Sequence, residues 1–191
     1  LRVLATSLTA LSLLVAGCSA NPTNLVSSGD RYVSGPETGE GYKLGVGDQV
    51  RVTVFNESSL TGEHTVSASG FVSMPLIGDV PALDKTPGEL AADMQRRLSD
   101  GYLRDPKVAA EVTQYRPYFI LGEVKLPGQY PYAIGLTALN AVATAQGYTP
   151  RAAKKVAYIR RAGEATETAY ALTPNLRIYP GDTIRLGERY F

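Results

Sequence analysis

Hydrophobic and polar residues alternate strictly from Val50 to Val54, with Val50, Val52 and Val54 set against Arg51 and Thr53. That period of two predicts a half-buried strand, entered from the turn pair Gly47-Asp48. From Val66 to Val80 the apolar positions are short and interrupted by Gly70, which predicts a turn-rich meander in which Pro75 lies at an edge or bulge. The period then lengthens. Leu90, Met94 and Leu98 recur every four residues behind Thr86-Pro87-Gly88-Glu89, a hydroxyl cap with proline at the first helical position and glutamate at the third. A helix running to about Asp100 and packed on the sheet follows. Asp105-Pro106 ends this crossover, and strand resumes from Val108 to Tyr115.

A second run of elements starts at Tyr118 with Phe119-Ile120-Leu121-Gly122-Glu123-Val124. Pro127-Gly128 turns this strand into a return strand around Tyr130 and Tyr132. The Ala-rich segment Leu136 to Ala145 predicts a helix with Gly147 near its C-terminal cap. Val156 to Arg161 and Thr166 to Leu172 predict two further strands, and Ile178 to Leu186 repeats an earlier local order. In that last segment Gly181-Asp182 is followed by one residue and then Ile184-Arg185, as Gly47-Asp48 is followed by Gln49 and then Val50-Arg51. The fold class that emerges is α+β and rich in strand.

The front of the chain is different in kind. Arg2 precedes an apolar stretch from Val3 to Val15, broken by Thr6, Ser7, Thr9 and Ser12 and too short to span a bilayer. It closes on Leu14-Val15-Ala16-Gly17-Cys18, which resembles the lipobox of bacterial lipoproteins, so residues 1–17 are expected to be an export signal and Cys18 the lipidated residue. Ser19 rather than Asp follows, which by the same resemblance permits sorting to the outer membrane. Residues 18–41 are polar and rich in Gly and Pro, the composition of a flexible tether, with a random-coil span of about 25 Å.

Composition narrows the function classes. Cys18 is the only cysteine, so neither a disulfide framework nor a thiolate metal site is available. The formal charge of +1 drops to about zero once Arg2 leaves with the signal, and no basic run or aromatic-basic module speaks for nucleic acid. With 12 Tyr and no Trp, a deep sugar-stacking cleft is not announced.

The order of these motifs resembles the Wza-type outer-membrane polysaccharide export proteins. Tyr42-x-Leu44-Gly45-x-Gly47-Asp48, then Val66-x-x-x-Gly70-x-Val72-x-Met74-Pro75-Leu76-Ile77-Gly78, the capped helix and Asp105-Pro106-x-Val108 match their export domain, which sets residues 42–115 as one unit. Residues 116–191 look like their soluble-ligand-binding (SLBB) β-grasp module, with a closing C-terminal strand. Its markers are Gly122-Glu123-Val124-x-x-Pro127-Gly128-x-Tyr130, Ala145-Gln146-Gly147, Val156-x-x-Ile159-Arg160 and Pro180-Gly181-Asp182-x-Ile184. Ser69 stands where the family usually has Asp, Leu83-Asp84-Lys85-Thr86 replaces a Gly-Leu-Thr entry to the helix, and Gln146 replaces a glycine. The prototype members continue into an amphipathic helix that builds a pore. Too few residues follow Asp182 for such a helix, so a short form lacking it is expected.

That resemblance implies a non-enzymatic outer-membrane lipoprotein, anchored through Cys18 and facing the periplasm. It would form a homo-oligomeric ring that conducts a capsular polysaccharide or exopolysaccharide across the envelope. The implied partners are the polysaccharide cargo, an inner-membrane polysaccharide copolymerase or tyrosine kinase and a separate outer-membrane β-barrel. The alternative is a monomeric lipoprotein that binds glycan or peptidoglycan without transport. Terminal Tyr190-Phe191 raises a transmembrane β-barrel, which two helix signals and the lack of serial ten-residue alternating strands oppose.

Candidate chemistry is sparse. His64 has no cysteine or second histidine to complete a dyad or ligand set, and its expected role is structural. Asp48 and Asp182 could be paired glycosidase carboxylates, but each follows glycine ahead of a strand, where an Asp side chain shapes a turn. Gly122 to Gly128 lacks the Lys-Ser/Thr ending of a phosphate loop. No catalytic residue, cofactor or metal is assigned. Tyr115, Tyr118, Tyr130 and Tyr132 alternate along predicted strands and are the candidate glycan contacts, with cross-strand packing as the plainer role.

Overall fold

The structure is a computed structural model that describes residues 41–189; the export signal, Cys18, nearly all of the tether and Tyr190-Phe191 lie outside the described residues. It is α+β and β-rich, with ten strands and two helices among those residues.

The first half is built on β1 (Gln49–Val54), which takes β2 (Gly62–Thr65) on one side and β5 (Val108–Gln114) on the other, both antiparallel. Alternation along β1 does what its sequence predicts: Val50, Val52 and Val54 are at most 2% exposed, while Arg51 faces out between Glu63 and Glu111. A second, two-stranded sheet pairs β3 (Phe71–Met74) with β4 (Gly78–Pro81). Helix α1 (Pro87–Ser99) buries Leu90, Met94 and Leu98 against these strands, closing one core with Leu44, Val72 and Val80. Its start is fixed as the sequence indicates. The Glu89 amide donates to Thr86 Oγ1 at 3.2 Å and the Thr86 amide to a Glu89 carboxylate oxygen at 2.7 Å. That backbone bond holds the Glu89 carboxyl below its ordinary range.

The second half begins with the hairpin of β6 (Tyr118–Gly122) and β7 (Gly128–Tyr130), crosses through α2 (Ala138–Thr144), and continues into β8 (Ala152–Arg160) and β9 (Thr168–Ala171). The last strand, β10 (Thr183–Glu188), inserts between β6 and β8, parallel to β6 and antiparallel to β8. The resulting order β7-β6-β10-β8-β9, hairpin first and a parallel strand returning to the centre, is a β-grasp arrangement. Helix α2 is Ala-rich because it lies close on the sheet: Ala138, Ala141 and Val142 pack with Tyr118, Ile120, Ile159 and Ile184 in a second core. Gly122 is required where β6 passes β10, since a Cβ there would sit 2.1 Å from the Leu186 carbonyl oxygen. Among the described residues no helix is long and apolar enough to cross a membrane.

Prolines account for three departures from the expected element bounds. Pro75 lies in the turn between β3 and β4 rather than at a strand edge or bulge, and Leu76 beside it takes φ 70°. Pro131 offers no N–H to a ladder, so β7 ends at Tyr130 and Tyr132 falls in the following loop. Tyr115 likewise lies just past β5, in a link that Pro117 keeps out of both strands. The edge strand β2, Gly62-Glu63-His64-Thr65, precedes the predicted meander and has no apolar alternation to announce it.

Candidate functional site

The two Gly-Asp segments form the same turn. Asp48 donates its amide to the Gly45 carbonyl at 3.1 Å and accepts the Gly45 amide on its carboxylate at 2.7 Å. Asp182 repeats this with Tyr179, at 3.1 and 2.9 Å. Gly47 and Gly181 occupy the third position with φ of 89° and 82°, which a turn of this type demands. One turn launches β1 and the other β10, so each half has an acidic turn at the base of its central strand.

Between them lies Arg116, the residue that joins the halves. Its amide donates to Asp48 Oδ1 at 2.7 Å, and Nη1 donates to Asp48 Oδ2 and to the Tyr42 phenol oxygen, both at 3.2 Å. Nε reaches across to the Pro180 carbonyl at 3.1 Å. The Tyr42 hydroxyl completes the cage by donating to Asp48 Oδ2 at 2.5 Å. Both turns have glycine where the guanidinium passes. A Cβ on Gly45 would lie 1.7 Å from Nη1, and one on Gly181 would lie 2.8 Å from Nε. The Gly181 amide also bonds the Pro117 carbonyl, and the Phe119 amide bonds the Asp182 carbonyl.

Asp48 is fully buried, so its charge needs the donors that surround it. Arg116 is only 23% exposed and supplies the cation. The Tyr42 phenol is held protonated far above its ordinary range, first by burial and then by its bond to the Asp48 carboxylate. Asp48 Oδ2 thus accepts from Tyr42, the Gly45 amide and Arg116, and Oδ1 accepts from the Arg116 amide. Asp182 is 1% exposed and spends one carboxylate oxygen on its own turn. These carboxylates are therefore turn and junction residues rather than a pair flanking a substrate.

The four candidate tyrosines separate into two sets. Tyr118 is 1% exposed and fills the second core, with Tyr130 directly opposite on β7, stacked at 5.9 Å and donating its hydroxyl to the Leu126 carbonyl. Tyr115 and Tyr132 sit at the seam instead. Tyr115 meets Tyr42 edge-on at 4.9 Å, and Tyr132 meets Tyr115 edge-on at 5.5 Å. Three half-buried rings from the segment before β1, the link after β5 and the loop after β7 thus line the junction beside Arg116.

Tyr42 and Arg116 are the residues that sequence reasoning passed over. Tyr42 opens the first motif, and its role was visible only as motif membership. Arg116 stands in no periodic pattern; the two Gly-Asp turns were the available clue, because each needs a donor for a buried carboxylate. His64 lies on β2 opposite Val50, with Nε2 enclosed and without a hydrogen-bond partner among the described residues. No group of three or more His, Cys, Asp or Glu among the described residues could hold a metal ion. Cys18 lies outside them.

Parts of the chain are similar to known proteins. Residues 36–113 match the family model described as "Polysaccharide biosynthesis/export protein". The chain is similar to "Exopolysaccharide production protein ExoF" of Rhizobium meliloti (strain 1021), 41% identical over 118 residues, covering 56% of this chain and 28% of that protein. It is also similar to "Polysialic acid transport protein KpsD" of Escherichia coli, 24% identical over 158 residues, covering 78% of this chain and 28% of that protein. The chain thus spans little more than a quarter of the length of either relative.

Proposed function

We propose that this chain is a structural component of a polysaccharide export channel, a reading supported by the match of residues 36–113 to the polysaccharide biosynthesis/export family model. In this reading residues 42–115 are the export domain and residues 116–191 an SLBB-type β-grasp module. The chain is held at the outer membrane by acyl groups on Cys18, faces the periplasm and assembles with copies of itself into a ring through which a capsular polysaccharide or exopolysaccharide passes. Its partners are the polymer, an inner-membrane polysaccharide copolymerase or tyrosine kinase, and a separate outer-membrane β-barrel. It performs no bond-breaking chemistry on the cargo.

The observation that carries this reading is the junction. Asp48, Arg116, Tyr42 and the Pro180 carbonyl tie the family-matched half to the β-grasp half through partly buried, charge-assisted bonds. A conduit needs subunits of fixed shape, and a clamp of this kind supplies one stiff block where two linked modules would otherwise swivel. Both central acids are committed to that clamp and to turns, which supports a building-block role over catalysis. A hydrated glycan passing through such a ring makes many weak contacts, since tight binding would stall it.

The test has two parts. Deleting the gene should stop polymer from reaching the cell surface, and the intact gene should restore it. Mass measurement of the detergent-solubilised, lipidated protein should give a multiple of the protomer. A persistent monomer at high concentration, with or without the copolymerase, favours instead a lone glycan- or peptidoglycan-binding lipoprotein.

A further inference from the structure

The β-grasp sheet has a second face. Helix α2 covers the side on which Tyr118, Ile120, Ile184 and Leu186 point, and alternation turns the intervening residues the other way. The strand register lines these up in two rows. Phe119 on β6 stands beside Thr183 on β10 and Arg160 on β8; Leu121 stands beside Arg185 and then Tyr158. At about 4.8 Å per strand, each row crosses the middle of the sheet in about 10 Å. That distance is on the scale of a disaccharide.

The chemistry of the rows is mixed in a particular way. Phe119 is 39% exposed and Leu121 44% exposed, although both lie on β6, an interior strand of the sheet. Arg185 Cζ lies 4.2 Å from the centroid of the Tyr158 ring, and the side chain is held there by Glu167, with Nη2 to Oε2 at 2.6 Å and Nε to Oε2 at 2.8 Å. Arg160 is different. Its guanidinium touches only the Glu164 carbonyl and the Thr183 hydroxyl, both at 3.4 Å, and it has no carboxylate partner among the described residues. An exposed aromatic ring therefore stands in one row, across Thr183, with a cation whose charge is not matched.

We propose that this outer face, centred on Phe119 and Arg160, is a contact track for an acidic polysaccharide. The proposal rests on the export reading above and assigns the cargo's class and place of contact. A pyranose ring presents one face of axial C–H bonds that packs on Phe119 and the flank of Leu121. A uronate-type carboxylate on the same or the next residue is the planar acceptor that a guanidinium fits. Charge complementarity selects an acidic over a neutral polymer, because Arg185 is already neutralised by Glu167 while Arg160 is not. An open sheet face also suits a moving chain better than a cleft does, since equivalent weak contacts can be exchanged one sugar at a time.

The experiment is equilibrium binding of the detergent-solubilised full chain to hexagalacturonate, with maltohexaose as the neutral probe. Hexagalacturonate is expected to bind at least about tenfold more tightly than maltohexaose. Its affinity should fall with added salt and drop about tenfold in both Arg160→Gln and Phe119→Ser. Where Phe119→Ser also lowers the melting temperature, Arg160→Gln alone decides. Equal binding of the two probes, no binding of hexagalacturonate, or unchanged affinity in Arg160→Gln overturns the proposal. So does a loss that follows Tyr115→Ser and Tyr132→Ser instead, or a change in oligomeric mass without a change in glycan affinity. Failure of the export reading is seen separately, as normal surface polymer after deletion of the gene.

Discussion

Arg116 binds Asp48 twice, through its own amide and through its guanidinium, at 2.7 and 3.2 Å and across 68 residues of sequence. The same side chain then reaches the Pro180 carbonyl, so one residue fixes the β1 turn to the β10 turn. Removing it leaves Asp48 buried with only Tyr42, its own turn and one main-chain amide as donors. Losing one partner of a buried pair costs on the order of 3–5 kcal/mol, and partial exposure of Arg116 puts Arg116→Ala toward the lower end. At about 2–4 °C per kcal/mol for a chain of this size, calorimetry should find a fall of roughly 6–12 °C. Arg116→Lys should recover little, since an ammonium cannot contact Asp48, Tyr42 and Pro180 in one plane. A fall under about 2 °C for Arg116→Ala would show that the clamp contributes no stability.

The glycines around the clamp should behave differently from one another. Gly47 has open space for a Cβ but a φ of 89°, so Gly47→Ala adds backbone strain of about 1–2 kcal/mol. At Gly45 a Cβ overlaps the guanidinium, and Gly45→Ala should cost as much as losing the clamp. In an Arg116→Ala background the Gly45→Ala penalty should largely vanish while the Gly47→Ala penalty remains. A double-mutant cycle by urea unfolding measures this coupling, and additive effects at Gly45 and Arg116 would contradict the assigned contact.

How much of this was legible in the sequence depends on the kind of interaction. Period-two alternation found β1 through Val50, Val52 and Val54, and the four-residue spacing of Leu90, Met94 and Leu98 found α1, because burial on one face leaves a local record. β2 left none: Gly62-Glu63-His64-Thr65 is an edge strand held by ladder bonds to β1, which are blind to side chains. The tyrosine alternation was misleading for a definite reason. Pro117 and Pro131 interrupt the strands, so Tyr115 and Tyr132 leave the ladder and meet at the seam, whereas Tyr118 and Tyr130 stay paired. The Gly-Asp echo was readable as two turns, but the arginine that joins them acts over a distance no local pattern encodes.

Helix α2 ends with a residue at odds with its position. The Gly147 amide bonds the Val142 carbonyl and the Gln146 amide the Ala143 carbonyl, a Schellman ending that puts Gln146 at φ 62°. A side chain there carries a left-handed penalty of about 1–2 kcal/mol, partly offset by the greater unfolded-state entropy of glycine, about 0.4–1 kcal/mol. Gln146→Gly should therefore raise the melting temperature, by up to about 6 °C. A decrease would mean that the Gln146 side chain makes a compensating contact.

The cap of α1 makes a pH-dependent prediction. Thr86→Ala should cost about 1 kcal/mol at neutral pH. The Glu89 carboxyl is lowered from 4.5 by its bond to the Thr86 amide, so its folded pKa lies below its unfolded one. Its contribution is then complete above pH 4.5 and is lost as pH falls through the folded value. The stability gap between the parent and Glu89→Gln should close on acidification below pH 4.5, followed by urea unfolding across that range; a gap that widens would reverse the sign assigned to this bond.

The anchoring proposal turns on Cys18, outside the described residues and the sole cysteine of the chain. If its acyl groups are the link to the outer membrane, Cys18→Ser should leave the protein folded but move it from the membrane to the soluble periplasmic fraction, because a thioether-linked lipid cannot form on serine. Lipid attachment also sets the strength of the hold. One or two buried acyl chains give a single protomer a tether, and a ring multiplies it, since each further anchor is captured at the high effective concentration set by its neighbours. Cys18→Ser mixed with the parent protein in one cell should accordingly stay membrane-bound in proportion to the parent fraction if the two co-assemble. Fractionation of such mixed populations reads ring formation and anchoring together: independent partitioning of the two forms would deny the ring, and full membrane retention of Cys18→Ser alone would deny the lipid.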